Sequence, residues 1–134
     1  MTLIRLTYAS RPFGFDAAAL AGILMDARRC NARDGITGAL ICRDDLYLQW
    51  LEGPEALVEA TYARIRKDDR HLEVRQLSRS TIAPEDRLFG AWAMRDDPVQ
   101  SWMWSREDVA NGAPDRSTEA EITAIFTRLA AGIA

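Results

Sequence analysis

The chain is 134 residues long, with 48% hydrophobic and 28% charged residues and a formal net charge of −3. This size and composition predict one soluble globular domain, and the weak negative charge argues against direct binding to nucleic acid. No apolar run approaches the roughly 20 residues of a membrane span, and Cys30 and Cys42 lack the spacing of a metal or disulfide motif, so we expect a cytoplasmic protein without membrane contact.

Strand and helix signals alternate along the first half of the chain. Residues 3–8 predict a strand, and Asp16 is a suitable N-cap for a helix that we expect to end near Asn31, before the stop signal Asp34-Gly35. Two further strands are predicted over residues 36–42 and 47–53. Because only a tight turn at residues 43–45 separates these two strands, they should form an antiparallel hairpin.

A second helix and two more strands complete the pattern. Pro54 opens the helix at a position where its missing N–H costs nothing. The predicted buried stripe of this helix is Leu57, Val58, Thr61, Tyr62 and Ile65. Strands are then expected over residues 72–82 and 88–94, on either side of Pro84-Glu85-Asp86.

This order of elements predicts an α+β fold of the ferredoxin-like type, βαββαββ, with a five-stranded mixed sheet and both helices on one face. C-terminal helices would cover the other face. One is predicted over residues 105–111, and another follows the capping-box spacing of Thr118 and Glu121. The apolar stripe of the latter is Ile122, Ile125, Phe126 and Leu129.

A polar amide stands in the middle of an apolar strand. By alternation, Leu48 and Trp50 face one side of the sheet, whereas Gln49 faces the other side, as does Tyr8 from the first strand. An unpaired buried amide costs roughly 1–3 kcal/mol, so Gln49 should have a partner. Tyr8 and Gln49 therefore form either a self-satisfied core pair or one wall of a pocket for a planar, hydrogen-bonding ligand.

Cations gather near the predicted C-terminal ends of both helices. Side by side, these ends would place the cations around one mouth of the groove between the helices, where an anionic ligand tail could dock. Favourable interaction with the helix dipoles explains the same pattern without a ligand. The residues are Arg28, Arg29, Arg33, Lys67 and Arg70.

The chain carries, in order, the short motifs Tyr8, Asn31-Ala32-Arg33, residues 35–40, residues 48–54, Arg64-Ile65, residues 68–71 and Trp92-Ala93-Met94. In this order and spacing, they resemble the BLUF domain, a blue-light sensor that uses flavin. The resemblance covers roughly residues 2 to 96 and implies the fold reached above, with the flavin standing between the two helices. It also implies a photosensory domain over residues 1–97. The chain beyond Asp97 carries no family motif, and its helix signals predict a C-terminal helical extension over residues 98–134 that packs on the sheet.

The resemblance also implies roles for individual residues. Tyr8 and Gln49 match the photoactive pair, and Asn31 matches the asparagine at the polar edge of the flavin ring. Trp92 and Met94 match residues linked to signalling. The remaining implied flavin contacts, at the ring edge or on the ribityl-phosphate side, are Arg33, Leu40, Arg64, Asp68, Arg70 and His71.

A member of this family would be a photoreceptor and not an enzyme. It would bind FAD non-covalently, with FMN possible, and light would rearrange the hydrogen bonds among tyrosine, glutamine and flavin. The output would act in trans, through a homodimer or higher oligomer or through a protein effector. The alternatives are a small ferredoxin-like enzyme of the acylphosphatase type, for which Arg11 is available but the glycine-rich loop is missing, and a flavin-free interaction module.

Overall fold

One mixed sheet organises the chain, in a computed structural model that describes residues 2–14, 16–96 and 103–133. The strand order is β4-β1-β3-β2-β5. β2 and β5 are parallel, and the other neighbouring strands are antiparallel. This is the predicted ferredoxin-like α+β fold. The strands are β1 (Leu3–Pro12), β2 (Thr37–Arg43), β3 (Leu46–Pro54), β4 (His71–Ile82) and β5 (Trp92–Asp96).

Two helices, α1 (Ala17–Asp34) and α2 (Glu55–Arg66), pack on one face of the sheet. The Asp16 side chain accepts a hydrogen bond from the Ala19 N–H, as an N-cap should. The α1 helix continues three residues beyond the predicted end near Asn31 and stops at the predicted signal, Asp34-Gly35. It ends where Gly35 takes the left-handed conformation, with φ 68°, and its N–H bonds to the Asn31 carbonyl.

The predicted stripe of α2 is correct apart from one residue. Val58 and Thr61 are buried, and Tyr62 and Ile65 pack against the core that Val58 shares with Ile4 and Leu6. Leu57, by contrast, is 38% exposed. It lies one position, or about 100°, around the helix from Val58, which turns it away from the sheet.

Two strand boundaries differ by four residues from those expected, and the other differences are of one or two residues. β1 continues to Pro12 because it pairs with β4 as far as His71. The last strand begins at Trp92, not at residue 88. The Glu52 carboxylate accepts the backbone N–H groups of Leu88 and Phe89, at 2.8 and 3.4 Å, so these residues do not enter the sheet.

Three C-terminal helices, α3 (Arg106–Ala110), α4 (Ala113–Arg116) and α5 (Glu119–Ile133), follow the sheet, and α4 was not predicted. Thr118 and Glu121 form the expected reciprocal cap of α5, with both backbone N–H bonds at 3.1 Å. The apolar stripe of α5 packs on the face of the sheet opposite to α1 and α2, where the Phe126 and Trp50 rings are 5.1 Å apart. None of the helices in the described ranges is both long and apolar enough to cross a bilayer.

Candidate functional site

Tyr8 and Gln49 lie opposite each other on the antiparallel strands β1 and β3. Both side chains point to the face that carries α1 and α2, and they are 0% and 4% exposed. Gln49 Nε2 donates a hydrogen bond to the Tyr8 hydroxyl. Strand alternation therefore identified the faces correctly, and each of the two polar groups supplies a partner for the other.

Trp92, at the start of β5, fixes which way the Gln49 amide points. Its indole Nε1 donates to Gln49 Oε1 at 2.9 Å. Because an indole N–H only donates, the amide oxygen must face Trp92 and the amide NH₂ group must face Tyr8. Trp92, Gln49 and Tyr8 thus form one directional hydrogen-bond chain.

Tyr8 is a neutral phenol in this setting. Burial raises its pKa well above the ordinary tyrosine value, against the opposing effect of the hydrogen bond from Gln49. The Tyr62 ring lies 5.6 Å from the Tyr8 ring. Because the Tyr8 hydroxyl does not ionise at physiological pH, it keeps its proton unless an electron is removed from the ring as well.

A cavity of about 300 Å³ opens between α1 and α2 above this chain. Its size is at the lower end of the range for small-molecule sites. Of the residues predicted for the site, Arg33 and Met94 are not in its wall. Met94 packs instead on the cluster of Leu40, Cys42 and Tyr47. The lining residues are Tyr8, Ile23, Asp26, Ala27, Arg29, Cys30, Asn31, Leu40, Gln49, Thr61, Arg64, Ile65, Asp68, Arg70, His71 and Trp92.

Asn31 brings a side-chain amide to the cavity wall. The residue is 2% exposed in the last turns of α1, and its backbone carbonyl is already used by Gly35 and Ile36. Within the described part of the chain, its side chain has no hydrogen-bond partner. A buried amide in a cavity wall fits a ligand with donors and acceptors along one edge.

The charged side chains of the wall belong to its more exposed parts. Side-chain exposure is 50% for Arg64 and 30% for Arg70, and three lining arginines against two aspartates leave one net positive charge. Of the five cations predicted to ring one mouth, Arg29 and Arg70 are in the wall, whereas Arg28, Arg33 and Lys67 are not. Arg33 binds the adjacent Asp34 carboxylate at 2.9 Å and is 63% exposed.

Asp68 and Arg70 form a tight pair in the wall. Arg70 Nη2 lies 2.6 Å from Asp68 Oδ2, and the Arg70 backbone N–H also donates to Asp68. Burial alone would raise the pKa of Asp68, but the hydrogen bonds and charge of Arg70 outweigh it and hold the pKa below its usual value. The hydrogen bond to Asp68 in turn raises the pKa of Arg70.

His71, the single histidine of the chain, is neutral. Burial lowers its pKa to about 4. Its Nδ1 lies 2.8 Å from Ser10 Oγ, and its ring is 4.8 Å from the ring of Tyr47, whose pKa burial raises to about 12. The interior of the cavity therefore carries neutral polar groups, and the charges lie nearer to solvent.

Asp26, Cys30 and Thr61 line the cavity but were not predicted as site residues. A usable signal existed for α1, because counting back from Asn31 by helical turns reaches Ala27 and Ile23, with Cys30 and Asp26 beside them. Thr61 is 6% exposed and accepts a hydrogen bond from Arg64 at 3.0 Å. Across the residues that the structure describes, no cluster of three potential metal ligands occurs.

Comparison with known proteins gives one consistent family. Residues 3–95 match the family described as BLUF, sensors of blue-light using FAD. A photoactivated adenylate cyclase subunit beta of Euglena gracilis is 43% identical over 76 residues, which are 54% of this chain and 9% of that protein. A subunit beta-like protein of the same organism is 30% identical over 96% of this chain and 14% of its own length. This chain thus spans only about a tenth of the length of these relatives.

A solved structure extends the match to nearly the whole chain. The dark-state structure of BlrB, a BLUF protein, is 30% identical, with a TM-score of 0.72. The similarity covers 98% of this chain and 97% of BlrB. The likeness therefore includes the C-terminal helices as well as the sheet.

Proposed function

The chain belongs to the BLUF family of flavin-dependent blue-light sensors, and we propose that its flavin is FAD, held non-covalently in the cavity between α1 and α2. The observation that carries this proposal is the Trp92–Gln49–Tyr8 hydrogen-bond chain, whose three residues all line the cavity. The Asn31 side-chain amide in the same wall, which has no hydrogen-bond partner among the described residues, supports it independently.

The residues at the two ends of the cavity wall have different roles in binding. Asn31 would hydrogen-bond the polar edge of the ring. Leu40, which is 1% exposed and pairs with Gln49 on the neighbouring strand β2, would provide an apolar surface. Arg64 and Arg70 attract the anionic part of the cofactor at the more exposed end. His71, neutral at physiological pH, adds polarity without charge.

The switch resides in Tyr8 and Gln49. Bound flavin supplies blue-light absorption and a strong oxidant in its excited state. Tyr8 would be the donor of one electron and one phenolic proton to the excited flavin, and the return of both to Tyr8 would leave no net chemistry. Gln49 is left with its amide rotated or in its other tautomer, because an amide can exchange donor and acceptor roles between its two ends.

Rotation of the Gln49 amide also breaks its contact with Trp92. The NH₂ group then faces the indole N–H, and two donors cannot bond to each other. Trp92 starts β5, so the new state is communicated to an edge strand of the sheet. The domain acts as a sensor with two hydrogen-bonding states, and its output passes to a second copy of the chain or to a protein effector.

Identification of the released cofactor tests which flavin is bound. Purified protein should be yellow, and chromatography of the heat-released supernatant should show FAD. A folded, colourless protein that takes up neither FAD nor FMN would rule out the proposal.

Substitution of Asn31 tests the site itself. Asn31→Ala leaves flavin acceptors without their donor, which costs about 1–3 kcal/mol, or roughly a 5- to 150-fold loss of affinity measured by flavin titration. Asn111→Ala is the matched control, because Asn111 is exposed at the end of α3 and does not line the cavity. Equal flavin affinity of the two variants would remove Asn31 from the site.

A further inference from the structure

The Arg70 side chain lies across α1. Its Nη2 is 3.0 Å from Asp26 Oδ2 on the helix, and the same guanidinium is bound to Asp68, which follows α2. The side chain thus joins α1 to the connection between α2 and β4. α1 and this connection both contribute to the cavity wall, so the link joins two parts of that wall.

Gly22 leaves the space that this arrangement needs. A Cβ atom at position 22 would lie 2.9 Å from Arg70 Nη1. This is closer than Cβ atoms in proteins come to the heavy atoms of other residues, so the guanidinium would have to move. Glycine is a poor helix former, so its place inside α1 calls for a reason. Gly22 and Asp26 are one helical turn apart, so the Arg70 guanidinium packs against both positions.

The backbone of Arg70 is held as firmly as its side chain. The Arg70 N–H donates to Asp68 Oδ1 at 2.9 Å, and the Arg70 carbonyl accepts from the Phe13 N–H at 3.2 Å. A side chain anchored at both ends has little freedom to leave α1 unless the contact with Asp26 breaks.

This crossing lies at the open end of the cavity. The side chains of Asp26, Arg70 and Asp68 are 54%, 30% and 23% exposed. At the other end, Tyr8, Asn31 and Gln49 are at most 4% exposed. The crossing therefore belongs to the more exposed part of the cavity wall, away from the buried end.

We propose that Gly22 and Asp26 are positioning residues that hold Arg70 across the mouth of the cavity as a strap, and that this strap sets how fast flavin enters and leaves. The inference rests on the proposed flavin site. It assigns roles to Gly22, which has no side chain, and to Asp26. Neither residue needs to touch the cofactor.

Flavin release from loaded protein tests the strap. After dilution, the return of free-flavin fluorescence should be about 2- to 5-fold faster in Gly22→Ala and in Asp26→Asn, as expected for loss of one partly exposed ion pair. In an Arg70→Gln background, Gly22→Ala should add no further acceleration, because no guanidinium remains to be displaced.

Two matched controls separate the strap from general effects. Gly132→Ala makes the same change inside α5, where a Cβ would meet nothing within 4 Å. Asp115→Asn removes a carboxylate that is 46% exposed and bound to Arg75 at 2.6 Å, away from the cavity wall. Both should release flavin at the wild-type rate.

Hydrogen exchange of the flavin-free chain separates failure of the strap from failure of the proposed function. Amides around residues 22–26 should exchange faster in Asp26→Asn than in wild type, whether or not the protein ever binds flavin. Wild-type release rates in both Gly22→Ala and Asp26→Asn would overturn the strap in a protein that binds flavin. Unchanged exchange in flavin-free Asp26→Asn would overturn it in a protein that does not.

Discussion

Burial, rather than ion pairing, keeps His71 neutral beside the charged pair of Asp68 and Arg70. Asp68 favours the imidazolium and Arg70 opposes it, but desolvation is the largest effect and lowers the pKa from 6.5 to about 4. Below pH 6.5, His71 is therefore protonated in the unfolded chain, whereas in the folded chain it stays neutral until the pH approaches 4. Stability must fall as the pH is lowered through this window.

This linkage predicts a pH dependence that one substitution removes. Between pH 7 and pH 4, the free energy of unfolding of the flavin-free protein should fall by up to about 3 kcal/mol more than that of His71→Gln. Chemical denaturation at several pH values measures the difference. Parallel pH profiles of the two proteins would show that folding does not lower the pKa of His71.

At the scale of elements, Glu52 braces the connection that leads into β5. It is fully buried on the α5 face of β3, where one oxygen binds Arg5 at 2.9 Å and the other accepts the backbone N–H groups of Leu88 and Phe89. Arg5 in turn lies over the Trp50 ring, 4.4 Å from its centroid. The carboxylate thus ties β1, β3 and the approach to β5 together.

Neutralising this brace should destabilise the fold. Glu52→Gln keeps the shape but leaves Arg5 without a counterion, at a cost of about 2–4 kcal/mol in the free energy of unfolding. Glu59→Gln is the control, because that residue is 51% exposed in its pair with Arg79 and should cost at most about 1 kcal/mol. Equal effects in denaturant titrations would mean that Glu52 is not the brace described.

Residue alternation was enough to predict the two faces of β3, and with them the pairing of Gln49 with Tyr8, because the period of a strand depends only on neighbouring residues. The start of β5 could not be predicted in the same way. It depends on a side chain 36 residues earlier that takes the N–H of Leu88. The contact of Asp26 with Arg70 likewise joins residues 44 positions apart, and the local sequence around neither residue predicts it.

For the whole molecule, the sheet separates two packed layers with different tasks. α1 and α2 enclose the cavity on one face, whereas α5 covers the other face through Phe126 and its neighbours. Trp50 belongs to the second layer, although it is the next residue after Gln49. Damage to the α5 layer should therefore weaken the fold without altering the chemistry of the cavity.

Truncation of Phe126 tests this separation. Phe126→Ala removes a fully buried ring and should lower the free energy of unfolding by about 3–5 kcal/mol, while flavin affinity of the folded protein stays near wild type. Thr127→Ala, on the exposed side of the same helix, is the control for stability. A large loss of flavin affinity in folded Phe126→Ala would show that the two layers are coupled.

The most direct test of the light switch is the difference between absorption spectra recorded after blue illumination and in the dark. Wild-type protein with bound flavin should shift its flavin band to longer wavelength and return in the dark. Tyr8→Phe should bind flavin without shifting. Tyr62→Phe should still shift, because Tyr62 lies beside Tyr8 but outside the hydrogen-bond chain. A flavin-loaded wild type without any shift, or a full shift in Tyr8→Phe, would contradict the switch.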